Sequence, residues 1–217
     1  MRSVSLILTL LFISTSAHTK PVLFIGDSHS VGHFGLKLDS LLRQKYPLVQ
    51  TIASCGAVAS WFFSGQKTKC GYFHKNIDGK AQKGKEKSTP KIKSALEKLS
   101  PELIVIALGA NYTYRSDTYA IEDMRNLLNF TEKYSRNCYW IGPPHTRKIP
   151  ERLPRLYRLI KSAIKGRCQL FESHLVTKYP DKGSDGIHYW GTEGKKEAYK
   201  WANKAFDFVS NSDNKAK

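Results

Sequence analysis

A serine and a histidine near opposite ends of this 217-residue chain have neighbours that could make them a catalytic pair. Ser28 lies in the sequence GDSHS (residues 26–30), between an apolar run (21–25) and a segment with apolar residues three and four apart (31–42). A serine between a strand and a helix lies close to unpaired backbone N–H groups and the positive end of the helix dipole. That environment suits a nucleophile whose reaction creates an oxyanion, although it equally suits a helix N-cap.

The histidine, His188, follows Asp185 by three residues in a glycine-containing loop. General-base catalysis by histidine needs a partner that holds one ring nitrogen and stabilises the imidazolium, and Asp185 is a natural candidate. Gly56 and Asn111 each follow an apolar run that we interpret as a buried strand. They would reach the carboxyl edge of a parallel sheet, where a glycine N–H and an asparagine amide can serve as oxyanion-hole donors.

The elements that must position these groups alternate along the chain. Apolar runs predict strands at 21–25, 48–53, 103–108, 139–141 and 170–171, and helical periodicity predicts helices at 31–42 and near 91–99, 117–135, 150–165 and 192–209. Such alternation indicates an α/β domain with a mostly parallel sheet. The length suits one domain, which we place at 18–217.

Residues 1–17 have the pattern of a secretory signal peptide: one basic residue, a short apolar core, and small residues before a predicted cleavage after Ala17. A buried N-terminal strand is the alternative. The core is too short to span a membrane, and no later segment predicts a transmembrane helix. We therefore expect export, to the periplasm or the extracellular space. The four cysteines then predict two disulfides in one of three connectivities, and no C-x-x-C spacing indicates a metal site.

Positive charge is in excess, with 35 Lys and Arg residues against 18 Asp and Glu residues, a formal net charge of +17. The excess is concentrated in residues 67–98 and 145–167, and we interpret the Lys-rich stretch around 65–93 as an insertion in the domain. The charge indicates either a solvated surface or attraction to a polyanion such as an acidic glycan. Nucleic acid is disfavoured, because residues 75–98 contain neither interleaved aromatic residues nor a recognisable module.

Together these motifs resemble those of the SGNH hydrolases, also called GDSL esterases. The GDS block with Ser28, the lone Gly56, the G-x-N block with Asn111 and the D-x-x-H block with Asp185 and His188 occur in the family's order. The resemblance implies a three-layer α/β/α flavodoxin-like sandwich with a mostly parallel five-stranded sheet. It also implies that Ser28 is the nucleophile, His188 the base and Asp185 its orienting partner. The Ser28 N–H, the Gly56 N–H and the Asn111 amide would form the oxyanion hole.

Two positions depart from the commoner family pattern. Tyr112 follows Asn111 where many members have Asp, and His29 follows the nucleophile, a GDSH variant that we associate with polysaccharide-modifying relatives. Both departures bear on the substrate, since neither removes a catalytic group. The G-x-S-x-G motif of ordinary α/β-hydrolases is absent.

The family's strand order also bears on the cysteines. Cys138 and Cys168 each open an apolar stretch, and the family's sheet places those two strands side by side. The resemblance therefore implies a bond between Cys138 and Cys168. Cys55 and Cys70 would form the second bond and hold the loop that carries Gly56.

Candidate substrate contacts lie close to the catalytic blocks: His29, Trp61, Tyr112, Arg115, His145 and Tyr189. The aromatic stretch 61–63 is either a core plug or a wall of the cleft, and exposed rings there would favour sugars, whose C–H faces stack on aromatic rings. No long segment rich in Leu, Met and Phe offers a lid for a fatty chain.

We therefore expect an exported, monomeric, cofactor-independent and metal-independent serine esterase. Its expected reaction removes small acyl groups, acetyl above all, from a carbohydrate polymer of the cell envelope, and its substrate could be an acidic glycan. The alternatives are an O-acyltransferase at the same site, a lysophospholipase or thioesterase, and a non-enzymatic polyanion-binding protein of the same fold.

Overall fold

The computed structural model describes residues 20–215, so the predicted signal peptide at 1–17 lies outside the described residues. In chain order the elements are β1 (Val22–Gly26), α1 (Ser28–Val31), α2 (His33–Lys45), β2 (Val49–Ser54), α3 (Trp61–Ser64), β3 (Lys67–Thr68), β4 (Tyr72–Lys75), β5 (Ala81–Gly84), β6 (Lys87–Ser88), α4 (Ile92–Leu99), β7 (Leu103–Ala107), α5 (Asp117–Thr131), β8 (Cys138–Ile141), α6 (Leu153–Ile164), β9 (Gln169–Phe171) and α7 (Gly191–Lys215). Short 3₁₀ helices cover Ala110–Tyr112, Pro150–Arg152 and Ser173–Leu175. Within the described part of the chain, no helix is long and apolar enough to cross a membrane.

The main sheet has seven strands in the order β5-β4-β2-β1-β7-β8-β9, which corrects the prediction of five. The run from β2 to β9 is parallel and consists of the five strands predicted from apolar runs. The two additional strands, β4 and β5, are antiparallel and lie at one edge. They belong to the Lys-rich segment, where every residue of β5 is exposed and no apolar pattern marks the strand.

Helices cover both faces of the sheet and produce three layers. Leu23 and Ile25 of β1 face a core shared with α4, α5 and α6, whereas Val22 and Phe24 face a core shared with α2 and α7. Because both faces are buried, the parallel strands have continuous apolar sequences instead of alternating ones. The last helix continues past its predicted end at residue 209 and reaches Lys215.

Both predicted disulfides are present. Cys55 bonds to Cys70 with the Cα atoms 5.5 Å apart, which ties the loop after β2 to the start of β4. Cys138 bonds to Cys168 with the Cα atoms 4.6 Å apart, which joins the starts of the neighbouring strands β8 and β9. The first bond therefore holds the segment that contains Gly56.

Candidate active site

Ser28 begins helix α1 at the carboxyl end of the central strand β1. The carboxylate of Asp27 caps the helix by accepting a hydrogen bond from the His29 backbone N–H at 3.0 Å. The turn is tight, since a Cβ atom on Gly26 would lie only 2.0 Å from the Ser30 hydroxyl oxygen. Because Ser28 is in the first helical turn, its own N–H has no acceptor within the helix and is free to face an oxyanion.

The loop before α7 brings a histidine and a carboxylate to Ser28. His188 Nε2 lies 3.0 Å from Ser28 Oγ, and His188 Nδ1 lies 2.6 Å from Asp185 Oδ2. The other Asp185 oxygen accepts hydrogen bonds from the backbone N–H groups of Ile187 and His188, at 2.9 and 2.7 Å. The two residues are 160 and 157 positions away from Ser28 along the chain, so only the sheet and this loop bring them together.

Hydrogen bonds determine the protonation state of Asp185. Partial burial acts to raise the pKa of Asp185, but the His188 ring and the two backbone donors outweigh it and lower the pKa to about 2. Asp185 is therefore ionised at neutral pH and accepts the proton on His188 Nδ1. The lone pair on Nε2 is then available to accept the hydrogen bond from the Ser28 hydroxyl.

The position of the loop depends on Gly186. Its carbonyl oxygen accepts hydrogen bonds from the Thr146 hydroxyl at 2.7 Å and from the N–H groups of Arg147 and Lys148 at 2.9 and 3.1 Å. Its own N–H donates to the hydroxyl of Tyr179 at 3.0 Å. The φ angle of Gly186 is +83°, and a Cβ atom would lie 3.0 Å from Lys148 Cβ, so a glycine is required at this position.

The two other predicted oxyanion-hole residues lie on neighbouring loops. The Asn111 amide donates to the Ala57 carbonyl at 2.9 Å, which links the loop after β7 to the loop after β2. Gly56 has a φ angle of +85°, and a Cβ atom there would lie 3.2 Å from the ring of Trp61. Asn111 contributes to the cavity beside Ser28, whereas Gly56 is not one of its lining residues.

A cavity of about 310 Å³ opens beside Ser28 and His188. Its wall is largely apolar and comes from the segments after β7 and β8 and from the start of α6. The residues that line it besides Ser28, His29 and His188 are Ala110, Asn111, Thr113, Tyr114, Pro143, Pro144, Thr146, Lys148, Ile149, Leu153, Leu156 and Ile187. A larger cavity of about 470 Å³ lies between β2 and α4, but it contains no histidine, so we assign the site to the smaller one.

Among the predicted substrate contacts, the structure brings only His29 to this cavity. His29 is buried, and its ring lies 5.5 Å from the His188 ring and 5.6 Å from the Trp201 ring. Burial, and secondarily the nearby His188, lower the pKa of His29 to about 3, against a smaller opposing effect of Asp185. His29 is therefore neutral over the ordinary pH range.

The other five predicted contacts do not line this cavity, although Tyr189 lines a small adjoining pocket with Ser28 and His188. Tyr112 is buried and its hydroxyl bonds to Asp123 at 2.7 Å, and Trp61 covers Gly56 beside the core. Arg115 is exposed and stacks over the Tyr119 ring at 5.6 Å. The His145 ring accepts the Tyr179 N–H, and the Tyr189 hydroxyl donates to the His145 carbonyl. Phe62 is fully buried, so the aromatic stretch around Trp61 belongs mainly to the core.

Two further residues lie close to His188 or line the cavity, of which the sequence pointed to Trp190 only as a possible flank of the scissile group or brace of the loop. Trp190 is 45% exposed, and its ring centroid lies 5.8 Å from that of His188. Lys148 lines the cavity and has no carboxylate partner among residues 20–215. The position of Trp190 two residues after His188 was the signal that pointed to it, whereas Lys148 was not singled out because it is one cation among many in a basic segment. Within the same residues, no cluster of His, Cys, Asp and Glu side chains could hold a metal ion.

Comparisons with known proteins agree at the level of the fold. No family model and no curated protein matches this chain. Among solved structures, a DUF4886 family protein from Bacteroides uniformis aligns with a TM-score of 0.57 and 13% identity, over 89% of this chain and 83% of its own. The acetylxylan esterase Axe2 from Geobacillus stearothermophilus aligns with a TM-score of 0.52 and 15% identity, over 86% and 94%. A GDSL-like lipase from Bacteroides thetaiotaomicron aligns with a TM-score of 0.51 and 12% identity, over 89% of each chain. From the sheet order, the arrangement around Ser28 and these alignments, the chain has the SGNH hydrolase fold.

Proposed function

We propose that this protein is a serine ester hydrolase in which Ser28 is the nucleophile, His188 the base and Asp185 its orienting partner. The observation that carries the proposal is the continuous hydrogen-bonded series from Asp185 through His188 to Ser28, with contacts of 2.6 and 3.0 Å. A serine, an imidazole and an ionised carboxylate in this order form an acyl-transfer triad on several unrelated folds. The adjacent cavity gives an ester access to Ser28.

The reaction proceeds in two halves. Ser28 Oγ attacks the ester carbonyl carbon and loses its proton to His188 Nε2. The Ser28 N–H and the Asn111 amide stabilise the oxyanion, with Gly56 as the third donor of the proposed hole. His188 then gives the proton to the leaving alcohol oxygen, which departs and leaves an acyl-serine. A water molecule, deprotonated by His188, hydrolyses this acyl-enzyme and restores Ser28.

The substrate that we propose is a short acyl ester, acetyl above all, on a carbohydrate polymer outside the cytoplasm. Support comes from the fold, which is shared with proteins named as acetylxylan esterases. The cavity is also small, at the lower end of the range of about 300–1,000 Å³ for small-molecule sites. The signal-peptide pattern at 1–17 and the two disulfides support export.

One observation favours a second candidate. Ile149, Leu153, Leu156 and Ile187 give the cavity an apolar wall, which suits an acyl chain longer than acetyl. A lysophospholipase or thioesterase would use that wall. Hydrolysis rates for p-nitrophenyl acetate, butyrate and octanoate separate the two, because a short-acyl esterase loses kcat/KM along this series and the alternative gains it.

The nucleophile is tested with a fluorophosphonate, which phosphonylates only an activated serine. We expect labelling of the wild-type protein at Ser28 and none in Ser28→Ala, with Ser94→Ala as the matched control because Ser94 is an exposed serine on α4. We also expect p-nitrophenyl acetate turnover to be lost in Ser28→Ala and kept in Ser94→Ala. Equal turnover by the two variants would refute the serine mechanism.

A further inference from the structure

A series of aromatic rings, two of them exposed, extends from the His188 ring. Trp190 lies 5.8 Å from His188, His33 lies 5.9 Å from Trp190, and Tyr199 lies 6.4 Å from His33, measured between ring centroids. We call His33, Trp190 and Tyr199 the aromatic strip. Trp190 and Tyr199 are 45% and 37% exposed, so their rings are accessible to a ligand from solvent. The strip is therefore continuous with the reacting groups.

The local sequence makes room for this strip. A Cβ atom on Gly32 would lie 3.2 Å from the Trp190 ring, so the glycine lets the indole approach the start of α2 closely. His33 is the first residue of α2. Tyr199 lies in α7, one turn after Lys195, so the two side chains share a face of the helix.

Two cations flank the strip. Lys195 Nζ and Lys37 Nζ lie 5.5 and 5.9 Å from the Tyr199 ring centroid. Neither has a carboxylate partner among the described residues. The pKa of His33 is lowered mainly by partial burial and secondarily by the charge of the nearby Lys195. The positive charge here is thus available to an anionic ligand.

In the basic helix α6, in contrast, several cations form ion pairs with carboxylates of the protein itself. Arg155 pairs with Asp117, and Lys161 pairs with Glu172. Arg167, just after the helix, pairs with Glu132. A polyanion that approached α6 would compete with these carboxylates, so the strip offers better charge complementarity.

We propose that the aromatic strip is the subsite for the sugar side of the ester, and that it binds an acidic oligosaccharide. This inference rests on the proposed esterase function and names its substrate class. A sugar ring stacks its C–H face on Trp190, which places the ester oxygen next to His188, the group that protonates the leaving alcohol. Carboxylates on the same or the next sugar pair with Lys195 and Lys37. The acyl group occupies the cavity beside Ser28.

A membrane surface would also use exposed rings and lysines, but the strip suits it less well. Leu36 is the one large aliphatic side chain exposed beside the strip in the described structure, and the histidine at its centre is polar. A bilayer needs a larger apolar area to hold a protein by its surface. Vesicle binding is therefore an outcome that would contradict the proposal.

The test measures binding without turnover. We would titrate Ser28→Ala protein with tetragalacturonate and with neutral xylotetraose by calorimetry at low salt. We expect tighter binding of the acidic ligand, by about threefold or more, and loss of that preference near 1 M salt, where charges are screened. The additional substitution Trp190→Ala should weaken the binding of both ligands by about fivefold. The additional substitutions Lys37→Gln and Lys195→Gln should weaken the binding of the acidic ligand only.

The control is Lys98→Gln on helix α4, which removes one charge on a surface formed by other elements and should leave both affinities unchanged. Thermal unfolding of each variant verifies that the fold persists. Absence of binding, equal effects of the strip and control variants, or preferential binding to anionic phosphatidylglycerol vesicles would overturn the proposal. Turnover of p-nitrophenyl acetate by the wild-type protein is read separately, so failure of the esterase function is distinguishable from failure of the strip.

Discussion

Asp27 and His29, the two neighbours of Ser28 in the chain, form a buried pair in which the Asp27 side chain accepts a hydrogen bond from the His29 backbone N–H at 3.0 Å. Burial shifts the pKa values of the two side chains in opposite directions. It raises the pKa of Asp27 to about 7, against the smaller effect of its backbone hydrogen bonds, and it is the main cause that lowers the pKa of His29 to about 3. Both groups are therefore neutral in the folded protein at mildly acidic pH.

This pair predicts compensating effects of pH on stability. Between about pH 3 and 6.5 the unfolded chain binds a proton at His29 that the folded protein does not, so this group destabilises the fold as pH falls. Between about pH 4 and 7 the folded protein keeps a proton on Asp27 that the unfolded chain loses, so this group destabilises the fold as pH rises. The two contributions oppose each other, each by up to about 1.4 kcal/mol per pH unit.

Single substitutions should separate the contributions of Asp27 and His29 to the pH dependence of the free energy of unfolding. Relative to the wild type, Asp27→Asn should make the free energy of unfolding fall more steeply from pH 6.5 to 4.5, and His29→Phe should make it fall less steeply or rise. Urea unfolding at both pH values measures the difference, and Asp181→Asn, at an exposed position, is the control. Parallel pH profiles for all three variants would contradict the assignment.

Replacing Asp185 with Asn should lower kcat for p-nitrophenyl acetate by about 10³- to 10⁴-fold. The neutral amide has one acceptor oxygen in place of two, so it cannot accept hydrogen bonds from the backbone N–H groups and from His188 Nδ1 as the carboxylate does. His188 then loses the tautomer that accepts the Ser28 proton. Asp181→Asn lies in the same loop and should retain activity. A loss smaller than tenfold in Asp185→Asn would argue against its orienting role.

Gly186→Ala should impair both activity and stability, because the new methyl group would lie 3.0 Å from Lys148 Cβ in addition to the strain at a φ of +83°. We expect a loss of stability of about 1–3 kcal/mol, with a displaced His188 loop. Gly183→Ala is the matched control: its φ is +78°, but no atom lies within 4 Å of the new methyl group. Comparison of the two in thermal unfolding and ester turnover isolates the contact with Lys148.

The apolar cavity can be narrowed at Ile149, which lines it and is partly exposed. Ile149→Trp should reduce kcat/KM for p-nitrophenyl octanoate by at least about tenfold, which corresponds to a loss of about 1.4 kcal/mol of transition-state stabilisation. The turnover of p-nitrophenyl acetate should change little. Ile77→Trp, at an exposed position outside this cavity, should change neither rate. Equal losses for both esters would show that the acyl group does not enter this cavity.

The sequence predicted the parallel part of the fold because buried strands such as β1 and β7 must be apolar on both faces. It did not predict β5, because that strand is held by backbone hydrogen bonds to β4 and has no buried side chain to leave a pattern. Backbone pairing at a sheet edge requires no particular residue type, so composition alone does not reveal it.

At the site, the sequence predicted which residues directly follow the strands. It did not predict whether the side chains next to them point toward the cavity or into the core. Asn111 and Tyr112 are adjacent in one 3₁₀ turn, yet Asn111 reaches the cavity and Tyr112 points into the core toward Asp123. Trp190 reaches the site because Gly32 leaves space on another element. Such choices depend on packing between distant segments, which spacing along one segment does not encode.

The Cys55–Cys70 bond also links chemical competence to the redox state of the surroundings. It joins the loop of Gly56 to the residues just before strand β4, next to two hydrogen bonds: the Cys55 N–H donates to the Gly71 carbonyl and the Thr68 hydroxyl donates to the Cys55 carbonyl. In a reducing cytoplasm these weaker contacts would have to hold the proposed third oxyanion donor. If the protein is exported as proposed, the proposed third donor would therefore be held covalently only after oxidation forms the bond, and activity inside the producing cell would be lower than outside it.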